Sequence, residues 1–329
     1  MKKNIALVTG GFSGEAVISY KSATTIGNNL EPEKYEVFKI DITPAGWTYE
    51  SPSGTKTEVD KNHFTLTIDN HLVSFDAVFI AMHGTPGEDG KLQGYFDTLG
   101  LKYTSCDAAT SAITFNKRYT VAVAKMAGIA VANSLHLFRH TPVPISTITD
   151  QLRLPVFVKP NNGGSSIGMS KVDLAADLQA AIDKAFREDE QVLVEQMISG
   201  REFTVGVFKA DNVITVLPIT EVQAHAEKAF FDFEAKYQGK STETTPAVVD
   251  EQVAERIREA ARKIYAVLNC RGVVRIDFIY NEAEQTPYML EINTIPGQSA
   301  ASIIPQQVKA MGWELRDFYS KLLEEALKG

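Results

Sequence analysis

Residues 275–280, Arg275-Ile276-Asp277-Phe278-Ile279-Tyr280, and residues 288–293, Tyr288-Met289-Leu290-Glu291-Ile292-Asn293, decide how this chain is read. Both runs alternate polar and apolar residues with period two, the pattern of strands with one apolar face. The polar stretch from Asn281 to Pro287 joins them as a turn. Folded as a hairpin centred on Glu284, they set Asp277 opposite Glu291 and Arg275 opposite Asn293, with all four side chains on one face. Two carboxylates, an amide oxygen and a guanidinium on a rigid sheet make a hard, oxygen-rich site suited to Mg²⁺ bridging phosphate oxygens. A solvated sheet face with cross-strand ion pairs would show the same alternation, so the rest of the chain has to decide.

Immediately upstream, a helix from Asp250 to Leu268 leads into the hairpin. Before it lies a long connection, Phe230 to Thr245, in which four aromatics alternate with charges. A connection of that length in a compact domain is either a lid or a surface insertion. Strands are expected at Phe203 to Phe208 and Val213 to Thr220, and further upstream at Val156 to Lys159 and Gln191 to Glu195, the last two flanking a helix from Leu174 to Arg187. Directly after Val156 to Pro160 comes Asn161-Asn162-Gly163-Gly164-Ser165-Ser166-Ile167-Gly168. Successive amides in such a loop can cradle anionic oxygens, and Lys159 would add a point charge. An ordinary hairpin turn with a solvated lysine fits the same residues.

The first hundred residues read as strand, helix, strand: Ile5 to Val8, a turn at Gly10-Gly11-Phe12-Ser13-Gly14, a helix from about Glu15 to Leu30, then strands Glu36 to Ile40 and Ala77 to Ala81. That order predicts a Rossmann-like parallel sheet with Glu15 and His83 near one rim of a crevice. Ser111 to Met126 reads as one helix, and Pro142 and Pro144 punctuate the link to the next strand. At 329 residues two or three domains are expected. A net charge of -8 and a pI near 5.4 argue against a nucleic-acid partner. Cys106 and Cys270 are too few for a disulfide framework or a thiolate metal site. The initial apolar run stops at Thr9-Gly10-Gly11, too short for a signal peptide, and no stretch approaches a membrane span, so the expected compartment is the cytoplasm. Neither a P-loop, a dinucleotide fingerprint nor a G-x-S-x-G elbow is present. His83-Gly84-Thr85-Pro86-Gly87-Glu88-Asp89-Gly90 is a poor zinc site, its carboxylates adjacent and no second histidine near, but a reasonable substrate loop or a structural turn. The residues alone thus point to a phosphate-binding, magnesium-using α/β enzyme with a lid.

Five segments together resemble the D-alanine:D-alanine ligase family of ATP-grasp enzymes along nearly the whole chain: residues 10–15, the GEDGKLQG core within 83–94, residues 159–169, Glu234-Ala235-Lys236-Tyr237, and the run from Arg275 and Asp277 to Glu291, Asn293, Pro296 and Gly297. The resemblance implies an ATP-grasp fold in three domains, 1–106, 107–195 and 196–329, with a lid at 230–246, α+β in the ATP-binding part. It implies ATP, two Mg²⁺ or Mn²⁺ ions held by Asp277, Glu291 and Asn293, and phosphate contacts from Lys117, Lys159 and Lys236. Glu195 would meet the adenine end and Glu202 the ribose. Two D-alanine sites follow, with Glu15 on the first ammonium, linked through Ser165 to Tyr237, and Ser302 on the second carboxylate. Arg275 and the Gly297 amide would stabilise the tetrahedral oxyanion, and His83 joins the catalytic set. A homodimer, paired through N-terminal domains, and the terminal dipeptide of peptidoglycan precursors as product are further implications. Gln298 stands where the family pattern has methionine, Phe231 and Phe233 where tyrosines are common, and Ala16-Val17-Ile18-Ser19 where a charged residue often precedes valine-serine. A D-alanine:D-lactate depsipeptide ligase and a non-catalytic Mg-ATP-binding regulatory module are the competing readings.

Overall fold

The computed structural model describes residues 2–164, 167–224 and 241–328. In the N-terminal part, β1 (Lys3–Gly10) and β2 (Tyr35–Thr43) run parallel, in register from Lys3 with Tyr35 to Gly10 with Ile42. Next, β3 (Gly46–Glu50) and β4 (Lys56–Glu58) fold back antiparallel at the edge, and β5 (Leu66–Ile68) and β6 (His71–Val73) form a separate hairpin. Then β7 (Ala77–Ile80) returns parallel on the far side of β1. The expected parallel sheet therefore stands, with an antiparallel margin. Because β1 is central, Ile5 through Gly10 are all buried, as a strand covered on both faces requires. One face is covered by helix Ala16–Asn29 and, from the opposite end of the chain, by helix Leu315–Lys328, whose Phe318, Tyr319 and Leu322 share a core with Leu7, Ile26 and Phe79. The other face holds Phe64 and Phe96, packed edge to face at 4.9 Å.

The central part is an antiparallel sheet ordered β10-β9-β11-β8, from β8 (Ser134–Phe138), β9 (Val156–Pro160), β10 (Ser170–Val172) and β11 (Gln191–Gln196). Helices Ile145–Gln151 and Leu178–Phe186 bury Ile148, Leu178 and Ile182 against Val156, Val158 and Val194. The single helix expected over Ser111 to Met126 is two, Ala108–Phe115 and Lys117–Met126. Asn116 breaks it by leaving helical geometry, its side chain accepting from the Tyr119 amide as the cap of the second helix.

The C-terminal part is ordered β15-β14-β12-β16-β17, from β12 (Arg201–Ala210), β13 (Val213–Val216), β14 (Thr220–Ala224), β15 (Ser241–Thr244), β16 (Val273–Asn281) and β17 (Thr286–Asn293), with β13 beside β12. The strand expected from Val213 to Thr220 is divided because Pro218 has no N–H to give a ladder. The last part of the stretch read as a polar connection, Ser241–Thr244, is a strand paired with β14. Helix Glu251–Val267, capped by Asp250, buries Ala254, Ile257, Ala261 and Ile264 at helical spacing against this sheet. Cys106 and Cys270 are both free and buried.

Candidate functional site

The hairpin pairs Arg275 with Asn293 and Asp277 with Glu291, as the alternation predicts, but by a less regular route. Beyond Asp277 the register shifts, so Phe278 faces Met289 and Asn281 faces Thr286. The tip is thus centred between Ala283 and Glu284, and a bulge near Leu290 restores the Asp277–Glu291 pairing. As a result Leu290 and Glu291 both line the same cavity, while Met289 and Ile292 are buried on the other side. The Arg275 guanidinium grips Asp277 with two bonds, Nε to Oδ1 at 2.9 Å and Nη2 to Oδ2 at 2.7 Å, and lies 3.6 Å from Glu291. Thr204 on β12 donates to Asp277 Oδ1 at 2.5 Å. Asn293 accepts the Ile295 amide at 2.9 Å, which turns the chain out of β17.

A cavity of about 690 Å³ lies between the central and C-terminal sheets, within the size range of small-molecule and cofactor sites. Phe157, Ile167, Met169 and Leu290 give it an apolar lining, and Lys117, Lys159, Glu195, Arg201, Glu202, Glu221, Asp277 and Glu291 supply its charges. Lys159 and Glu195 stand on neighbouring strands, diagonally across the ladder, and pair at 2.9 Å with both side chains largely buried. Lys117 opens its helix and bonds the Gly163 carbonyl at 2.6 Å.

A second cavity, of about 270 Å³, lies under the N-terminal sheet and is lined by Glu15, His83, Glu202, Arg275, Asp277, Asn293, Gly297 and Ser302. A third, of about 100 Å³, shares Glu15, Arg275 and Asn293 with it and Lys117 and Glu291 with the first. Every expected site residue within the described chain therefore lines one of three cavities that share walls. Ser165, Lys236 and Tyr237 lie outside the described residues. Glu15 sits where two loops close on it. A Cβ on Gly84 would come within 2.7 Å of one of its oxygens, and a Cβ on Gly164 within 3.1 Å of the other. Gly84 also has φ of 69°, so both backbone and space exclude a side chain there.

His83 lines the second cavity, yet both its ring nitrogens bond protein groups. Nδ1 lies 2.7 Å from the Ile295 carbonyl and Nε2 lies 2.9 Å from Ser22 Oγ. A carbonyl only accepts, so Nδ1 carries the hydrogen and Nε2 accepts from Ser22. Burial, first, and the Arg275 charge pull its pKa down to about 4, keeping the ring neutral.

The family described as D-ala D-ala ligase N-terminus matches residues 4–106, and that described as D-ala D-ala ligase C-terminus matches residues 123–324. The chain belongs to the D-alanine–D-alanine ligase family. A D-alanine–D-alanine ligase of Parabacteroides distasonis is 43% identical over 328 residues, which cover 100% of this chain and 98% of the relative. Among solved structures, the D-Ala:D-Ser ligase VanG of Enterococcus faecalis superposes with a TM-score of 0.89 at 30% identity, covering 99% of this chain and 100% of its own. D-alanyl-alanine synthetase A of Vibrio cholerae gives 0.87 at 30%, covering 100% and 99%. The D-alanine–D-alanine ligase of Bacillus anthracis complexed with ATP gives 0.79 at 25%, covering 99% and 98%. The fold is ATP-grasp.

The donor set on the hairpin of this ligase-family chain fits Mg²⁺ or Mn²⁺. Asp277, Glu291 and Asn293 offer oxygen alone, and the Arg275 guanidinium already lying between the two carboxylates marks a place where a cation is favourable. Glu88 was missed as a site residue. In sequence Glu88 and Asp89 are merely adjacent carboxylates in a turn, whereas in the fold Asp89 turns outward to Thr85 and Lys91 and Glu88 turns inward to accept the Gly84 amide at 2.7 Å. Burial, then the Glu15 charge, push the Glu88 carboxyl up to about 8. The glycines at 84, 87 and 90 were the available signal, since a loop so bracketed can bring a side chain inside. Lys21 and Glu243, which also line the second cavity, gave no signal of their own.

Proposed function

We propose that this chain joins two D-alanine molecules to D-alanyl-D-alanine at the expense of ATP. The first D-alanine carboxylate attacks the γ-phosphorus, and the bond to the β–γ bridging oxygen breaks, giving D-alanyl phosphate and ADP. The second D-alanine, as free amine, attacks the acyl carbon, and phosphate leaves with the electron pair of the C–O bond. ATP would lie in the large cavity, with Lys117, Lys159 and the lid residue Lys236 near its phosphates, Glu195 toward adenine and Glu202 toward ribose. Two Mg²⁺ or Mn²⁺ ions on Asp277, Glu291 and Asn293 would neutralise phosphate charge when bound. Glu15 would pair with the first ammonium and Ser302 would receive the second carboxylate; the family pattern would add Ser165 and Tyr237, which lie outside the described residues. Arg275 and the Gly297 amide stabilise the oxyanion of the tetrahedral intermediate. Closing the 230–246 segment over the site would keep water from the acyl phosphate.

The observation that carries this reading is the shared wall. Asp277 belongs to both larger cavities, and Glu291 and Arg275 join them through the small one, so a phosphoryl group held on one side meets a carboxylate held on the other. The family supports the same reading, along with a homodimer formed through N-terminal domains, a cytoplasmic setting and a product used in peptidoglycan precursors. The net charge of -8 argues against a nucleic-acid partner, and among the described residues no helix is long and apolar enough to cross a membrane. The test is ADP and phosphate release with Mg-ATP and D-alanine, with and without D-lactate, products being followed by mass. Dipeptide formed one for one with ADP is expected. Mainly D-alanyl-D-lactate, or ADP release indifferent to D-alanine, would overturn it.

A further inference from the structure

Gln298 is buried, 4% exposed, and its side chain reaches two groups. Its amide nitrogen donates to the Pro296 carbonyl at 3.3 Å, and its amide oxygen accepts from the Tyr319 hydroxyl at 3.2 Å. The assignment of the two ends is forced, because the Pro296 carbonyl can only accept. The backbone N–H of Gln298 donates to Ser22 Oγ at 3.0 Å, and Ser22 in turn donates to Nε2 of the neutral His83. His83 donates from Nδ1 to Ile295, so the turn from Ile295 to Gln298 is tied to His83 at the Ile295 carbonyl and to Ser22 at the Gln298 N–H, with the Gln298 side chain closing on the Pro296 carbonyl between them. The Pro296 carbonyl and the Gly297 N–H belong to one planar trans peptide and point in opposite directions. Holding the carbonyl on the protein side therefore directs the N–H away from Gln298. Gly297 itself lines the second cavity, and a Cβ there would stand 2.8 Å from Ser302 Oγ.

We propose that Gln298 is a positioning residue that aims the Gly297 N–H at the reacting carbonyl, braced from behind by Tyr319 and from the side by the His83–Ser22 pair. The proposal rests on the ligase reading, in which that N–H receives the tetrahedral oxyanion. It is particular to this chain, since a methionine at 298 could neither donate to Pro296 nor accept from Tyr319. It also gives His83 a role as a neutral brace, acting through Ser22 on the turn.

The experiment compares the parent with Gln298→Met, Gln298→Glu and Tyr319→Phe, all as full chains, in kcat, in KM for ATP, in thermal midpoint and in inhibition by a tetrahedral phosphinate mimic of the dipeptide. Misaiming one of two oxyanion donors should lower kcat about 10-fold in Gln298→Met and weaken the mimic by a similar factor, with KM for ATP within about twofold. Gln298→Glu, which sets a carboxylate against the Pro296 carbonyl, should fall further, and Tyr319→Phe, which lines none of the three cavities described, should follow in the same direction by about threefold. A lowered thermal midpoint with kcat and mimic affinity unchanged in Gln298→Met and Tyr319→Phe would reduce the network to a structural tie and overturn the proposal. If Gln298→Met does not fold, Tyr319→Phe decides alone by the same criteria. A parent without D-alanine-dependent ADP release would instead sink the ligase reading and this proposal with it.

Discussion

Asp277 and Glu291, on the hairpin, have a guanidinium between them, whereas Glu15 and Glu88, beneath the N-terminal sheet, face each other's charge with Glu88 held by a backbone N–H. Between them Asp277 and Glu291 border all three cavities, whereas Glu15 and Glu88 border only the two smaller ones. The hairpin pair has the Arg275 guanidinium beside it to offset its charge. Under the N-terminal sheet, burial and then the Glu15 charge raise the Glu88 pKa, with the Arg275 charge acting against them. On the proposed reading, the first wall serves phosphate chemistry and the second an amino group.

The comparison breaks first, and most severely, at the hairpin. Asp277→Ala removes both bonds to a largely buried Arg275 and one oxygen of the donor set, so D-alanine-dependent ADP release should fall by about 10³-fold or more. Losing the two charge-assisted bonds, with Glu291 still beside the guanidinium, should also cost about 2–3 kcal/mol of stability in a denaturant titration. Retention of most of the activity would mean that the hairpin carboxylates are structural. Glu15→Gln, nearly isosteric, should raise the KM for D-alanine at the first site roughly 10- to 100-fold while leaving the KM for ATP within about twofold. Equal changes in both constants would show that Glu15 holds loops together and does not read the ammonium.

Glu88→Gln should give the smallest effect, and it sharpens the contrast through pH. With its carboxyl raised from 4.5 to about 8 in the folded chain, Glu88 holds a proton there that the unfolded chain has lost. Its stabilisation is complete below pH 4.5 and is lost as pH rises through about 8. Glutamine cannot ionise, so urea midpoints measured at about pH 5, 7 and 9 should decline less in the variant than in the parent. Identical slopes would place Glu88 among the ordinary ionised carboxylates.

Much of this was legible in advance because strand periodicity is local. Alternation alone set Arg275, Asp277, Glu291 and Asn293 on one face, and the strand-helix-strand order predicted a parallel N-terminal sheet, in which the fold places β1 between β2 and β7. The failures occurred where local rules compete. Residues 108–126 carry a helical pattern throughout, and Asn116 ends one helix and starts another because its side chain can satisfy a backbone amide. At Pro218 the missing N–H outweighs a run of strand formers. The hairpin's centre was misplaced at its tip because a bulge leaves no mark in an apolar-polar pattern that already tolerates one extra apolar residue, here Leu290.

What the sequence by itself determined was the inventory: oxygen donors on a sheet, cations and glycines beside them, and a family whose pattern they follow. Tertiary structure alone decided which groups are buried together. It turned Glu88 inward and Asp89 outward, spent both nitrogens of His83 on Ile295 and Ser22, and laid the C-terminal helix on the N-terminal sheet so that Tyr319 meets Gln298. The physical reason is range. Period and turn chemistry act over a few residues, whereas desolvation and hydrogen-bond satisfaction are set by neighbours such as Ser22 and Gln298, which are distant in sequence and adjacent once the chain has folded.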